Sequence, residues 1–206
     1  METVLSIKNK TRSNQWINTS QVIDWFKNLE NKSSLTFLKF DIVAFYPSLT
    51  PKKFNIAVSW SKQNHNFTEQ QLEIISNCKS HFFLERSPWI KKCNENFDVT
   101  MGAFDGAEVA EFVGSNILNK LEKIIPQENI GLYQDDGCVL LRCTRIMTAE
   151  IEKNNKKMFS IFKDCKLTVT IEGNVTVTEF LDIYFDLRKE NNEIPVYINA
   201  KSNQGL

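Results

Sequence analysis

A chain of 206 residues with 42% hydrophobic content and 15 phenylalanines can bury a real core, and its length favours one domain, at most two. Lysine plus arginine equals aspartate plus glutamate at 25 each, so no global basic field advertises nucleic acid and such a role would need a local groove. Five cysteines without a CxxC pair, and only His65 and His81 beside them, exclude zinc-site spacing and read as reduced intracellular thiols, nuclear or cytoplasmic; a polar start and the lack of any run of about eighteen apolar residues exclude a signal peptide and a membrane span.

In chain order, Val22, Ile23, Trp25, Phe26 and Leu29 recur at helical spacing, so QVIDWFKNLE is predicted as an amphipathic helix capped by Ser20. LTFLKFDIV reads as a short buried strand with Asp41 near its end, stopped by YPSLTPKK, whose second proline opens a helix behind Thr50. FNIAVSWSKQ continues that helix, and TEQQLEIISNCK begins another with a capping box from Thr68 to Gln71. HFFLERSPWIKK is predicted as a strand pair around a Ser-Pro turn. After the glycine-bearing loop DVTMGAFDGA, the residues Val109, Phe112, Val113, Ile117, Leu118 and Leu121 mark a helix that ends before Pro126.

NIGLY and GCVLL then read as a hairpin, with Asp-Gly at 136–137 as the turn signal between two apolar runs. A lysine-faced helix follows, with Ile151, Met158, Phe159 and Phe162 directed inward, then a strand in KLTVTIEG and a further hairpin around KENNE. Setting residues 51–100 aside as a helical insertion leaves β-α-β-β-α-β, an α+β, ferredoxin-like (split βαβ) order. Its central strands are the first and third, so Asp41 and the hairpin tip at Asp135 and Asp136 are expected side by side.

Carboxylates forced together repel unless a cation lies between them. Magnesium suits such a group because it takes hard oxygen ligands, keeps waters, and binds through one or two carboxylates plus substrate phosphates. Two such ions support in-line phosphoryl displacement, which is the chemistry of polymerases; manganese is a substitute.

With these residues in view, KFDIVAFYPSLT resembles the first palm motif of reverse transcriptases, and GLYQDDGCVLL resembles their third, the Y-x-D-D hairpin. DVTMGAFDGAEVAEFVGSNIL resembles the second motif, with Met101, Ala103 and Phe104 where the family usually places Gln and Ser-Pro. FLDIYFDL looks like the hairpin that grips the primer, and QWINTSQVIDWFKNLE with the overall order looks most like the reverse transcriptases of animal retroelements. The likeness runs from about Gln15 to about Asn199.

That resemblance implies an RNA-directed DNA polymerase palm with two magnesium ions on Asp41 and Asp135, Asp136 as an auxiliary ligand, and the Ile42 backbone carbonyl completing the set. It implies that Tyr46 packs under the incoming sugar and selects deoxynucleotides, that Gly102 and Met101 stand by the nucleotide, and that Tyr133 and Gln134 stand by the primer end. The implied partners are an RNA template, a DNA primer and dNTPs. The implied domains are a helical segment at 1–36 on the edge of fingers and palm, a palm at 37–172 with the insertion at 51–100, and a hairpin extension at 173–206. Fingers and thumb are not evident, so the expectation is a palm-centred fragment of a retroelement polyprotein.

Alternatives stay open at this level. They are an inactive relic of such an element, a DNA-templated fragment like the family B polymerases, which share Tyr-Pro-Ser after the first aspartate, and a ferredoxin-like RNA-binding module. An RNA virus polymerase would favour Gly-Asp-Asp and a second aspartate where Tyr46 stands. Lys153, Lys156 and Lys157 form a charged helix face whose ordinary reading is solvation, and Lys166 reads as a solvated strand-end lysine.

Overall fold

The computed structural model describes residue 11 and residues 13–64, 66–71, 81–84, 87–90, 106–142, 148–189 and 196–197. Two compact units share the chain: Met1–Ser13 with Ala44–Asn119, and Asn14–Val43 with Lys120–Leu206.

The first helix, α1, spans Thr19–Lys27, and its cap is Asn18 rather than Ser20. Asn18 Oδ1 accepts from the Gln21 N–H at 3.1 Å while Gln21 Oε1 accepts from the Ile17 N–H at 2.9 Å, a reciprocal pair. A cap at Ser20 would have apolar Ile23 as its partner three residues on, so the Asn18 start wins. Strand β1, Leu35–Ile42, forms where predicted.

In the other unit, the helical turn α2 (Phe45–Ser48) precedes α3 (Pro51–Asn64), whose start Thr50 caps by accepting the Lys53 N–H. The Thr68 and Gln71 capping box also forms, in both directions. Strands β2 (His81–Leu84) and β3 (Ser87–Ile90) pair with Leu84 opposite Ser87, so Ser-Pro opens the second strand instead of turning the chain. Helix α4, Gly106–Leu121, follows with Glu108 in its first turn, and Phe112 meets Phe54 edge-on at 6.2 Å between ring centroids.

The chain then returns to the α1 and β1 unit with β4 (Ile130–Tyr133), β5 (Asp136–Arg142), α5 (Thr148–Asp164) and β6 (Val169–Val175). The sheet order is β4-β5-β1-β6, with β1 antiparallel to both neighbours. Strands β7 (Val177–Phe180), β8 (Ile183–Asp186) and β9 (Val196–Tyr197) form a second small sheet. Its first hairpin turns at Leu181 and Asp182, both at positive φ as a two-residue primed turn requires. The tip predicted around KENNE lies outside the described residues, apart from Lys189.

Alternation along β1 assigns its two faces. Phe37 joins Trp16, Phe26, Cys138, Leu140, Phe180 and Phe185 in one buried cluster, with Phe26 and Phe185 4.9 Å apart. Leu38, Phe40 and Ile42 face the other way, where Phe40 packs on Phe162 of α5 at 5.4 Å. Met158 is buried as expected, but Phe159 is 46% exposed, a correction: on this helix the apolar face is narrower than the run of apolar letters suggests. The side chain of Ile151 lies outside the described residues. Helix α5 ends with Lys166 at φ 55°, its N–H donating to the Lys163 carbonyl and the Leu167 N–H donating to that of Phe162. This is a Schellman closure with lysine in the usual glycine place, so Lys166 terminates a helix.

Candidate active site

The hairpin that joins β4 to β5 does not turn on Asp-Gly. Tyr133 pairs with Asp136, which leaves Gln134 and Asp135 as the turn, and Gln134 takes the positive φ of 53°. Asp136 and Gly137 already belong to β5. Gly137 serves packing instead, because a Cβ there would come within 1.9 Å of Phe40 Cζ, and the missing side chain lets β5 lie against the buried ring. Gly131 does the same on β4, where Trp16 occupies the space a Cβ would need.

Register brings the acids together. Asp41 at the end of β1 is the direct antiparallel partner of Asp136, and the Ile42 N–H donates to the Asp135 carbonyl at 3.0 Å, tying the strand end to the turn. Directly opposed like charges destabilise a strand pair. Burial first, then Asp135 and Asp41, push the Asp136 carboxyl up to about 6, with Lys39 pulling it down. Burial also raises Asp135; its own backbone hydrogen bond opposes this and Asp41 adds to it.

Asp41 and Asp136 line a pocket of about 240 Å³ on the sheet face that carries Lys39, Thr170 and Glu172, closed on one side by Glu179, Phe180 and Leu181 of the β7–β8 hairpin. Lys39 Nζ donates to the Glu179 carbonyl at 3.1 Å and approaches Glu172 Oε2 at 3.7 Å. Sequence reasoning passed over Lys39, Thr170, Glu172 and Glu179. The period-2 step from Asp41 to Lys39 was a readable signal, but the cross-strand neighbours on β6 required the register.

Tyr133 stands opposite Asp136 and packs partly on the buried cluster, with Gln134 next to it in the turn. Tyr46 lies on α2 in the other unit, 7% exposed, beside Phe45, which is buried. Met101 and Gly102 lie outside the described residues.

Among the described residues no three histidine, cysteine, aspartate or glutamate side chains stand together as a ready metal cage. The opposed pair nonetheless fits an ion that takes one or two carboxylates and fills its remaining positions with water and phosphate oxygens. The raised affinity for protons at Asp136 comes first from burial and then from the neighbouring Asp135 and Asp41 carboxylates, with Lys39 opposing it.

No family profile matches the sequence, and no curated protein matches it. Among solved structures the chain is similar to apo telomerase of Candida tropicalis truncated from its C-terminal domain, with a TM-score of 0.62 and 14% identity over 90% of this chain and 42% of that one. Telomerase of Candida albicans, in complex with a TWJ fragment of telomeric RNA, gives 0.61 and 10% identity over 89% and 35%. The RNA-dependent RNA polymerase of a human picobirnavirus gives 0.59 and 10% over 94% and 38%. The chain thus spans between 35% and 42% of the length of these proteins. At such identities the likeness concerns the fold, and the fold is that of a polymerase palm.

Proposed function

We propose that this chain is the palm of an RNA-directed DNA polymerase, extending a primer 3′-hydroxyl with dNTPs on an RNA template. The observation that carries the reading is the register of Asp41 against Asp136 with Asp135 in the adjoining turn, at one end of the two central strands. The strand order β4-β5-β1-β6 supports the split βαβ description of that palm, since it places the first and third strands of the β-α-β-β-α-β sequence at the centre.

Asp41, Asp135 and Asp136, with the Ile42 carbonyl, would hold two magnesium ions, or manganese in their place. When bound, such ions lower the pKa of the attacking hydroxyl and neutralise charge on the transferring phosphoryl group. The chain's own residues position the reactants. Tyr133 and Gln134 support the primer end and the β7–β8 hairpin walls the pocket as a primer grip, while the exclusion of a ribose 2′-hydroxyl is assigned to Tyr46 by resemblance alone. Met101 and Gly102 are assigned to the nucleotide by resemblance alone. The retroelement origin rests on the resemblance of the phrase from Gln15 to Glu30 and of the overall motif order, and partner domains of a polyprotein are proposed with it.

A second reading, RNA synthesis, is favoured by the comparable likeness to the picobirnavirus enzyme. Tyr46 argues against it by occupying the position where those enzymes would favour a second aspartate. The test is magnesium-dependent extension of a DNA primer on an RNA template, with dNTPs or rNTPs, by the parent and by the Asp135→Asn, Asp136→Asn double variant. Extension with dNTPs by the parent, abolished in the variant, is expected. Extension with rNTPs alone would establish the second reading, and equal extension by both proteins would remove the carboxylates from the chemistry. No extension by either would favour an inactive relic.

A further inference from the structure

Helix α5 lies on the opposite side of the sheet from the carboxylate pocket, because Phe162 packs on Phe40 while Asp41 points to the other face. Its outer surface carries Lys153, Lys156, Lys157 and Lys163, all exposed. None of the four has an ion-pair partner among the described residues. The helix's exposed acids, Glu152 and Asp164, stand near its two ends. Among these lysines Phe159 is 46% exposed, one turn from Lys156 and one from Lys163. The surface continues past the helix end. Lys120 Nζ, at the end of α4, donates to Cys165 Sγ at 3.3 Å and brings exposed Lys123 to the same end of α5.

In a chain of zero net charge this is a local cationic strip with an aromatic ring in it. Single-stranded nucleic acid is held by that combination, lysines along the backbone and a ring under a base. We propose that the outer face of α5 is a docking surface for unpaired RNA, separate from the catalytic pocket. This rests on the polymerase reading for the identity of the strand, because the template beyond the duplex is the single-stranded partner that reading supplies.

The test is fluorescence anisotropy of a labelled, unstructured RNA of about fifteen nucleotides with the full chain in EDTA, where the carboxylate pocket holds no cation. Replacing the four lysines by glutamine is expected to weaken binding at least tenfold and to flatten the slope of log K against log salt by about 3, from roughly 0.7 per phosphate contact. Phe159→Ala, an exposed substitution, is expected to weaken binding by about tenfold with the slope unchanged. Replacing the four lysines by arginine preserves binding, which separates charge from folding.

Equal affinity of parent and glutamine variant, no RNA binding by the parent, or tighter binding to phosphatidylserine vesicles than to RNA would each overturn the proposal. Primer extension on a short preformed hybrid, read in the same variants, keeps the two readings apart. Binding lost with extension retained supports the surface. Extension absent from the parent while RNA binding still depends on the lysines removes the polymerase reading and leaves the surface standing.

Discussion

Gly137 is held to glycine by the Phe40 ring, which is buried and packed on Phe162. Gly137→Ala overpacks this contact, and a loss of about 1–3 kcal/mol in urea unfolding is expected; an unchanged midpoint would mean that the ring moves freely aside. Asp136 makes a prediction of the opposite sign. Its folded-state pKa of about 6 lies above the ordinary aspartate value of 3.8, so the native state binds the proton more tightly than the unfolded chain. In EDTA, stability should therefore fall as pH rises from about 4 to about 6. Asp136→Asn reduces that slope, leaving the part that raised Asp135 contributes, and should raise the melting temperature at pH 7.5 but not at pH 4. A parent whose stability is flat across that window would refute the shift. Asp186 works in reverse: the Arg188 hydrogen bonds hold its carboxyl down at about 2, so its contribution is present above pH 4 and lost as pH falls toward 2.

Between elements, the decisive connection is Lys39, which joins β1 to the β7–β8 hairpin through the Glu179 carbonyl. The hairpin is otherwise held by its apolar side, Phe180, Ile183 and Phe185, against Trp16 and Phe26. Lys39→Met keeps the aliphatic stem and removes the tether. The expected result is faster amide exchange confined to β7 and β8 and a global cost of about 0.5–1.5 kcal/mol. Arginine should restore protection, whereas exchange unchanged in the methionine variant would show that apolar packing alone holds the hairpin. The elements also show where local signals mislead. Asp-Gly is a hairpin signature because both residues tolerate positive φ, yet the turn falls on Gln134 and Asp135. A turn on Asp136 and Gly137 would take Asp136 out of its pairing with Asp41 and slide β5 four residues along β4, away from the Ile130–Val139 register, and the packing of that register outweighs the strain at Gln134.

For the molecule as a whole, opposite charges gather on opposite faces of one sheet, acids in the pocket and lysines on α5, while the totals cancel. Composition therefore hides both surfaces. Period and punctuation sufficed for most strands and helices, since β1, α3, α4 and the β4–β5 hairpin arise from local patterns of apolar residues and caps. Those patterns also marked Asp41, Asp135 and Asp136, because an acid at the end of an apolar strand is visible in one dimension. They did not reveal the pocket wall. Thr170, Glu172 and Glu179 meet Asp41 only through strand register and hairpin docking, which depend on contacts between residues more than a hundred positions apart in the chain. The exposure of Phe159 was hidden for the same reason: a helix's apolar letters state what can be buried, and the width of the surface it packs against decides what is.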